Sequence, residues 1–115
     1  WFMRPKERDM AYLWDMREEA SQIAVFLKGI PYAKFVTNNM VRYAVERSLM
    51  IIGEAANHVS DEFQDAHPEI AWRQIIGQRN VLAHEYGDIK VDRIWAAATN
   101  SIPVLLKELE KLVPD

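Results

Sequence analysis

The sequence has no cysteine among its 115 residues. This absence excludes disulfide frameworks, thiolate zinc sites and cysteine nucleophiles, and it fits a reducing compartment, so we expect a cytoplasmic protein. The sequence also lacks any stretch approaching the ~20 continuous apolar residues of a membrane helix, so no membrane partner is expected. Positive charge is not in excess, since 14 Lys and Arg stand against 17 Asp and Glu. A role on RNA would therefore require a local basic site.

Length and composition predict one domain. A chain of 115 residues with 50% hydrophobic residues can bury one core and is too short for two ordinary domains. We interpret Met3 as the natural start, which makes residues 1–2 a vector-derived remnant and residues 3–115 the domain. Repeats, low-complexity segments and strand patterns are absent from the sequence.

The spacing of apolar residues predicts an all-α fold. A first helix extends from Pro5 to Gly29. A second, long helix is predicted from the candidate N-caps at residues 37–39 through Phe63. Because more than one face of this second helix is apolar, it is expected to contact a partner helix or subunit.

The remaining chain predicts shorter elements and one long helix. A helical turn is expected at residues 71–76, with Gly77 separating it from residues 78–86. Asp92 is expected to cap the final helix and Pro103 to bend it. Together these patterns predict an antiparallel bundle of four to five helices.

The segment from Arg79 to Tyr86 concentrates a guanidinium, a carboxamide, an imidazole and a phenol. At 100° per residue, Asn80 and His84 lie about 40° apart on a helix, whereas Arg79 and His84 lie about 140° apart. The last two side chains can converge only if Arg79 sits in a loose first turn, or if a two-fold axis brings in a second copy. A first turn at residues 78–80 would also offer unbonded N–H groups to a phosphate.

These residue types suit the cleavage of RNA, whose 2′-hydroxyl is a built-in nucleophile. His84 can transfer a proton near neutral pH, and Arg79 can stabilise the charge of a pentavalent phosphorane. The expected products are a 2′,3′-cyclic phosphate and a 5′-hydroxyl, with neither metal nor cofactor required. The alternative from spacing alone is structural, because a lone His at a helix end usually caps or hydrogen-bonds and a nearby Arg is usually solvated or paired.

The pattern Arg79-x4-His84-x-Tyr86, with Asn80 after the arginine, resembles the signature of HepT-like toxins of the HEPN superfamily. The run Ile51 to Ala56, the turn from Pro68 to Trp72 and the His84-Glu85-Tyr86-Gly87 end resemble the same family in the same order. The resemblance covers nearly the whole chain.

This resemblance implies a homodimeric α-helical ribonuclease, the toxin of a type VII toxin–antitoxin system. Arg79 and His84 would be the catalytic pair in a cleft shared by two subunits, acting on RNA such as tRNA or mRNA and not on DNA. A minimal nucleotidyltransferase antitoxin would transfer AMP to Tyr86 and silence the enzyme. The added phosphate would occupy the anion site beside Arg79 and repel an RNA backbone.

Several other polar and aromatic residues could have either a functional or a structural role. Glu54 lies in an apolar run and must find a partner, so we expect it to support Arg79, while Asn80 would orient His84 or the phosphate. His58 and His67 lack the spacing of metal ligands, so no metal site is expected. The tryptophans could stack on bases but are interpreted as core residues, namely Trp14, Trp72 and Trp95. The basic N-terminal residues are interpreted as solvated, namely Arg4, Lys6 and Arg8.

Two alternatives stay open. The chain could be a non-catalytic subunit that binds a nucleotide or substrate for a nucleotidyltransferase. It could also be a structural helical bundle, in which case Arg79→Ala and His84→Ala would change stability without removing an activity.

Overall fold

Helices form all the regular structure in the part of the chain that the computed structural model describes, residues 5–84 and 91–114, without the side chains of residues 5, 6, 80, 81, 83 and 84. The elements are α1 (Pro5–Leu27), α2 (Tyr32–Thr37), α3 (Asn39–His58), α4 (Asp61–Ala66), α5 (Trp72–His84), α6 (Val91–Ala96), a π-helical turn (Ala97–Ser101) and α7 (Ile102–Leu112). The all-α prediction is confirmed. None of these helices is long and apolar enough to cross a membrane.

Helix α3 lies at the centre of the bundle, between α1 on one side and α5 on the other, and α7 packs on α1. The direction of α1 against α3 is given by two contacts. Asp9 meets Ser60 just beyond α3, whereas Ser48 donates a hydrogen bond to Glu19 at 2.9 Å. Residue numbers fall along one helix as they rise along the other, so the two helices are antiparallel, as predicted.

Helix α1 buries one stripe, formed by four fully buried residues: Leu13, Met16, Ala20 and Ile23. Their spacing is that of one helix face, and burying a large apolar side chain stabilises the fold by about 1.5–3 kcal/mol. The helix ends just before Gly29, which has a φ of 72°. Glycine adopts this left-handed conformation at a helix end without steric cost. The first helix is therefore confirmed.

The long second helix begins as predicted but is shorter. The Asn38 side chain accepts a hydrogen bond from the backbone N–H of Val41 at 3.1 Å, so Asn38 is the N-cap of α3. The prediction that this helix continues through Phe63 is wrong, because α3 ends at His58 and Ser60 caps α4. The short helix α2 was also not predicted.

A buried carboxylate stabilises this break. Asp9 accepts hydrogen bonds from the backbone N–H of Ser60 at 2.9 Å and from its hydroxyl at 2.7 Å. The Ser60 hydroxyl in turn accepts from the N–H of Phe63 at 3.2 Å. Such capping bonds satisfy N–H groups that a helix start leaves unpaired. The apolar spacing continues across this break, which is why periodicity alone missed it.

The helical segment of residues 91–112 is irregular next to Pro103, the residue that predicts a bend there. Pro103 has no N–H to donate to the carbonyl of Thr99, and directly before it Ile102 bonds back to Ala97 in a π-helical turn. The prediction that Asp92 is the N-cap is wrong, since it lies inside the first turn of α6. A carboxylate there still favours the positive end of the helix dipole.

The tryptophans divide between core and surface. Trp72 is buried and donates its indole N–H to the carbonyl of His67 at 2.9 Å. Trp95 packs on Phe35, with ring centroids 5.1 Å apart. Trp72 is a core residue, as predicted, and Trp95 is partly buried against the core. The same prediction is wrong for Trp14, which is 48% exposed because it lies one position beyond the buried stripe of α1.

Candidate functional site

The predicted catalytic segment lies on α5, which runs without interruption from Trp72 to His84. The prediction that Gly77 separates two elements is wrong, because a helix interior tolerates one glycine at a cost of about 1 kcal/mol. Residues 78–80 therefore lie inside the helix and not in its first turn. Their N–H groups are used within the helix. The predicted phosphate site at a helix N-terminus is absent from this position.

Arg79 is fixed by a close approach of α5 to α3. An added Cβ on Gly53 would collide with the Cβ of Arg79 and come within 2.9 Å of its Cγ and 3.0 Å of the carbonyl oxygen of Ile75. The side chain is half-buried, and its Nε is fully buried. Gly53 therefore permits the close approach of α3 and α5 because it has no side chain. Packing on α3 thus sets the direction in which the guanidinium leaves the helix.

Arg79 and His84 do not share a helix face. Both lie on the same regular helix, so their Cα atoms are rotated by about 140° around its axis. This excludes the loose first turn that would have let Arg79 reach round to His84 within one subunit. Asn80 is in the same helix, and Tyr86 lies outside the described residues. Among the predicted site residues, the structure describes the side-chain environments of Arg79 and Glu54.

Glu54 lies on a different side of α3 from the packing contact at Gly53. It is exposed and borders a shallow pocket of about 330 Å³ together with Tyr12, Asp15 and His58. Within one subunit its side chain reaches solvent, so its predicted pairing with Arg79 stays a prediction. Its supporting role toward the arginine is untested by this arrangement.

The two described histidines have aromatic and acidic neighbours. His58 stacks on Tyr12 with ring centroids 5.3 Å apart, and His67 stacks on Phe63 at 4.3 Å. His67 also lies 2.8 Å from Glu69 through Nδ1. Within residues 5–84 and 91–114, no group of three or more His, Asp or Glu side chains could hold a metal ion.

Among the carboxyl groups of the described residues, those of Glu46 and Glu69 have shifted pKa values. Burial raises the pKa of Glu46, an effect that the neighbouring Arg42 partly offsets. The pKa of exposed Glu69 is lowered by a hydrogen bond from its own backbone N–H and then by its bond with His67. Both groups lie outside the candidate catalytic segment, so these shifts bear on stability and not on its chemistry.

A cleft beside α5 contains residues that sequence reasoning missed. Gln74 and Gln78 line it from α5. Arg93 lines it from α6, and Asn100 and Ser101 line it from the π-helical turn. The available signal was the spacing of the two glutamines at i and i+4, which places them on one helix face. Side-chain amides on a helix surface are common, so this spacing predicts no site until the residues on the other side of the cleft are known.

The chain matches the family model described as "Ribonuclease HepT-like" over residues 16–112. It is 38% identical over 105 residues to a protein of Methanocaldococcus jannaschii provisionally named as an RNase, covering 90% of this chain and 96% of the relative. It is 36% identical over 101 residues to a protein of Thermococcus cleftensis provisionally named ribonuclease HepT, covering 88% and 92%.

A bacterial relative gives the same result. An RNase, again provisionally named, from Caldanaerobacter subterraneus is 33% identical over 102 residues, covering 89% of this chain and 91% of its own length. No solved structure matches the chain. The family resemblance inferred from the motif is thereby confirmed over most of the sequence.

Proposed function

The chain belongs to the HepT-like ribonuclease family, and from this premise we propose that it is a toxin that cuts RNA without a metal at a site shared by two subunits. Arg79 and His84 are the proposed catalytic pair. The observation that carries the proposal is the position of this pair on one uninterrupted helix, with the arginine stem packed on α3. This arrangement supports a site that is incomplete within one subunit.

The proposed reaction is a transesterification. His84 accepts the proton of the 2′-hydroxyl, the 2′ oxygen forms a bond to phosphorus, and the bond from phosphorus to the 5′ oxygen breaks. The imidazolium of His84 then passes this proton to the leaving 5′ oxygen. Arg79 stabilises the additional negative charge of the phosphorane. The products are a 2′,3′-cyclic phosphate and a 5′-hydroxyl end.

The outer face of α3 supports pairing with a second copy. Met40 is 84% exposed and Tyr43 is 61% exposed, and the partly buried Met50 and Ile51 lie about two to three turns further along the same face, beyond the exposed Arg47. Exposed apolar side chains grouped on one face are typical of protein contacts. Glu54 lies on this same face. In the proposed dimer its carboxylate would face the partner subunit, where it can orient a guanidinium, and Asn80 would orient the imidazole or the phosphate.

Regulation follows from the motif tyrosine in this proposal. A minimal nucleotidyltransferase antitoxin transfers AMP from ATP to the Tyr86 hydroxyl, with pyrophosphate as the leaving group. The attached phosphodiester places negative charge near the phosphate site and excludes the RNA backbone. The support is the family membership together with the presence of Tyr86 two residues after His84.

The experiment is cleavage of total RNA or tRNA by the purified, unmodified protein in the presence of EDTA. The wild type is compared with Arg79→Ala and His84→Ala, and the end groups of the products are mapped. Two matched controls are available: Arg73→Ala removes an exposed arginine from the same helix, and His58→Ala removes an exposed histidine from α3. Loss of cyclic-phosphate products in the first pair alone supports the proposal.

Mixing the two inactive variants tests the shared site. If each site takes its arginine and histidine from different subunits, half of the randomly mixed dimers regain one intact site of two, which restores about one quarter of wild-type activity. If both residues act from one subunit, mixing restores nothing. Absence of cleavage by a dimeric, unmodified wild type on all RNA classes would favour the non-catalytic subunit of a nucleotidyltransferase.

A further inference from the structure

The cleft between α5 and the segment of residues 91–101 is a cavity of about 420 Å³ that Arg79 does not line. Gln74, Gln78 and Leu82 form its α5 wall at positions i, i+4 and i+8, which is one helix face. Arg93 and Ile94 contribute from α6. The volume lies within the roughly 300–1,000 Å³ that small-molecule sites occupy.

The π-helical turn shapes the opposite wall. Its wider winding begins at Ala97, ends at Ser101 and is followed by Pro103. Ala97 and its neighbour Ala96 leave room at the cleft, while Asn100 and Ser101 border it with polar groups. Short π-helical turns inside α-helices are frequent at functional sites. The irregularity therefore coincides with the place where the cavity opens.

The lining chemistry fits a nucleobase. The amides of Gln74, Gln78 and Asn100 each offer two donors and one acceptor, and in the described part of the chain none of them makes a hydrogen bond. Leu82, Ala96 and Ala97 supply the apolar part of the lining, against which a planar ring can lie. Carboxamides that pair with base edges are a common means of reading adenine and other bases.

The charges along the cleft give the ligand a direction. Arg93 lines this cavity together with Leu82, which is near the C-terminal end of α5, and the described lining of the cavity has no carboxylate. A second cavity of about 320 Å³ continues from the same glutamines toward Glu69 and Glu108. A phosphate is attracted by the guanidinium and repelled by the carboxylates. It would therefore lie at the end of α5 that carries His84.

We propose that this cleft binds one unpaired base of the RNA substrate beside the phosphate that is cut, and that it gives cleavage a base preference. The inference rests on the proposed nuclease function and adds to it a specificity site outside the catalytic pair. Gln78 immediately precedes Arg79 on α5, and a helix with its side chains is about 10–12 Å across. A base in the cleft and a phosphate at the catalytic pair can thus belong to neighbouring nucleotides.

The test is titration of the isotope-labelled full chain with each of the four nucleoside 5′-monophosphates, followed by NMR of the side-chain amides. We expect one nucleotide to shift the Gln74, Gln78 and Asn100 amide signals more than the others do. Gln78→Leu should weaken its binding at least about fivefold, the lower limit for a lost bidentate contact. The control Gln22→Leu removes an exposed amide from α1 and should leave binding unchanged.

Cleavage provides the second readout, with folding of each variant checked by its thermal melt. Gln78→Leu should flatten the base preference at the cut positions while His84-dependent cleavage persists. Nuclease activity without selective shifts of the three amide signals contradicts the proposed base site. This outcome does not contradict the proposed nuclease function. Selective amide shifts in a protein that cuts no RNA overturn the nuclease and leave a nucleotide site.

Discussion

Gly53→Ala is expected to displace Arg79 while leaving most of the fold intact. Nonbonded carbon atoms approach to about 3.5–4.0 Å, whereas the new methyl group would lie 2.9 Å from the Cγ of Arg79 and closer still to its Cβ. A Cβ cannot swing away as a side-chain tip can. Helix α5 must therefore move outward by about 1 Å or more, carrying the arginine with it.

The expected magnitudes follow from this displacement. Overpacking costs about 1–3 kcal/mol, and alanine regains about 1 kcal/mol of helix propensity over glycine, so the net loss of unfolding free energy is about 1 kcal/mol. The melting temperature should fall by about 5 °C. A catalytic group misplaced by about 1 Å can slow a reaction by about 100-fold, so cleavage should fall far more than stability.

The assay compares RNA cleavage, thermal melting and dimer content of the Gly53→Ala variant with those of the wild type. Gly77→Ala is the stability control, because no described atom lies within 4 Å of the added Cβ. It should raise stability by about 0.5–1 kcal/mol. Wild-type cleavage and an unchanged melting temperature for Gly53→Ala would refute the reasoning.

A compensating variant identifies the colliding side chain. Arg79→Ala keeps its Cβ and would leave the collision in place, so the informative partner is Arg79→Gly. In the double variant with Gly53→Ala, the overpacking cost of the new methyl group should largely disappear, giving a coupling as large as that cost, about 1–3 kcal/mol. Additive effects of the two changes would show that another contact resists the methyl group.

Two further predictions concern stability. Burial raises the pKa of Glu46 above its ordinary 4.5, so its contribution to stability is present below that pH and is lost as pH rises through the folded-state pKa. Glu46→Gln should therefore raise the urea midpoint at pH 7 and not at pH 4, and an equal gain at both would contradict this cause. Asp9→Ala removes both acceptors of Ser60 and should cost about 2 kcal/mol, whereas Asp9→Asn, which keeps one acceptor, should cost less in the same melts.

Local features determined much of this protein from sequence alone. The stripe of α1, the Asn38 cap and the irregularity at Pro103 follow from side-chain spacing, a capping group and a missing N–H. The family could also be predicted from sequence, because an arginine, a histidine and a tyrosine at fixed spacing form a motif. Each of these signals lies within a few residues along the chain.

Tertiary structure decided what depends on contacts between distant segments. The end of α3 at His58 depends on Asp9 from α1, which apolar periodicity does not record. The direction of Arg79 depends on Gly53, and the exposure of Glu54 depends on which face of α3 the neighbouring helices leave open. The cleft of about 420 Å³ lies where the π-helical turn faces Gln74 and Gln78 of α5. A sequence specifies the side chains on each wall, but only packing brings the walls together.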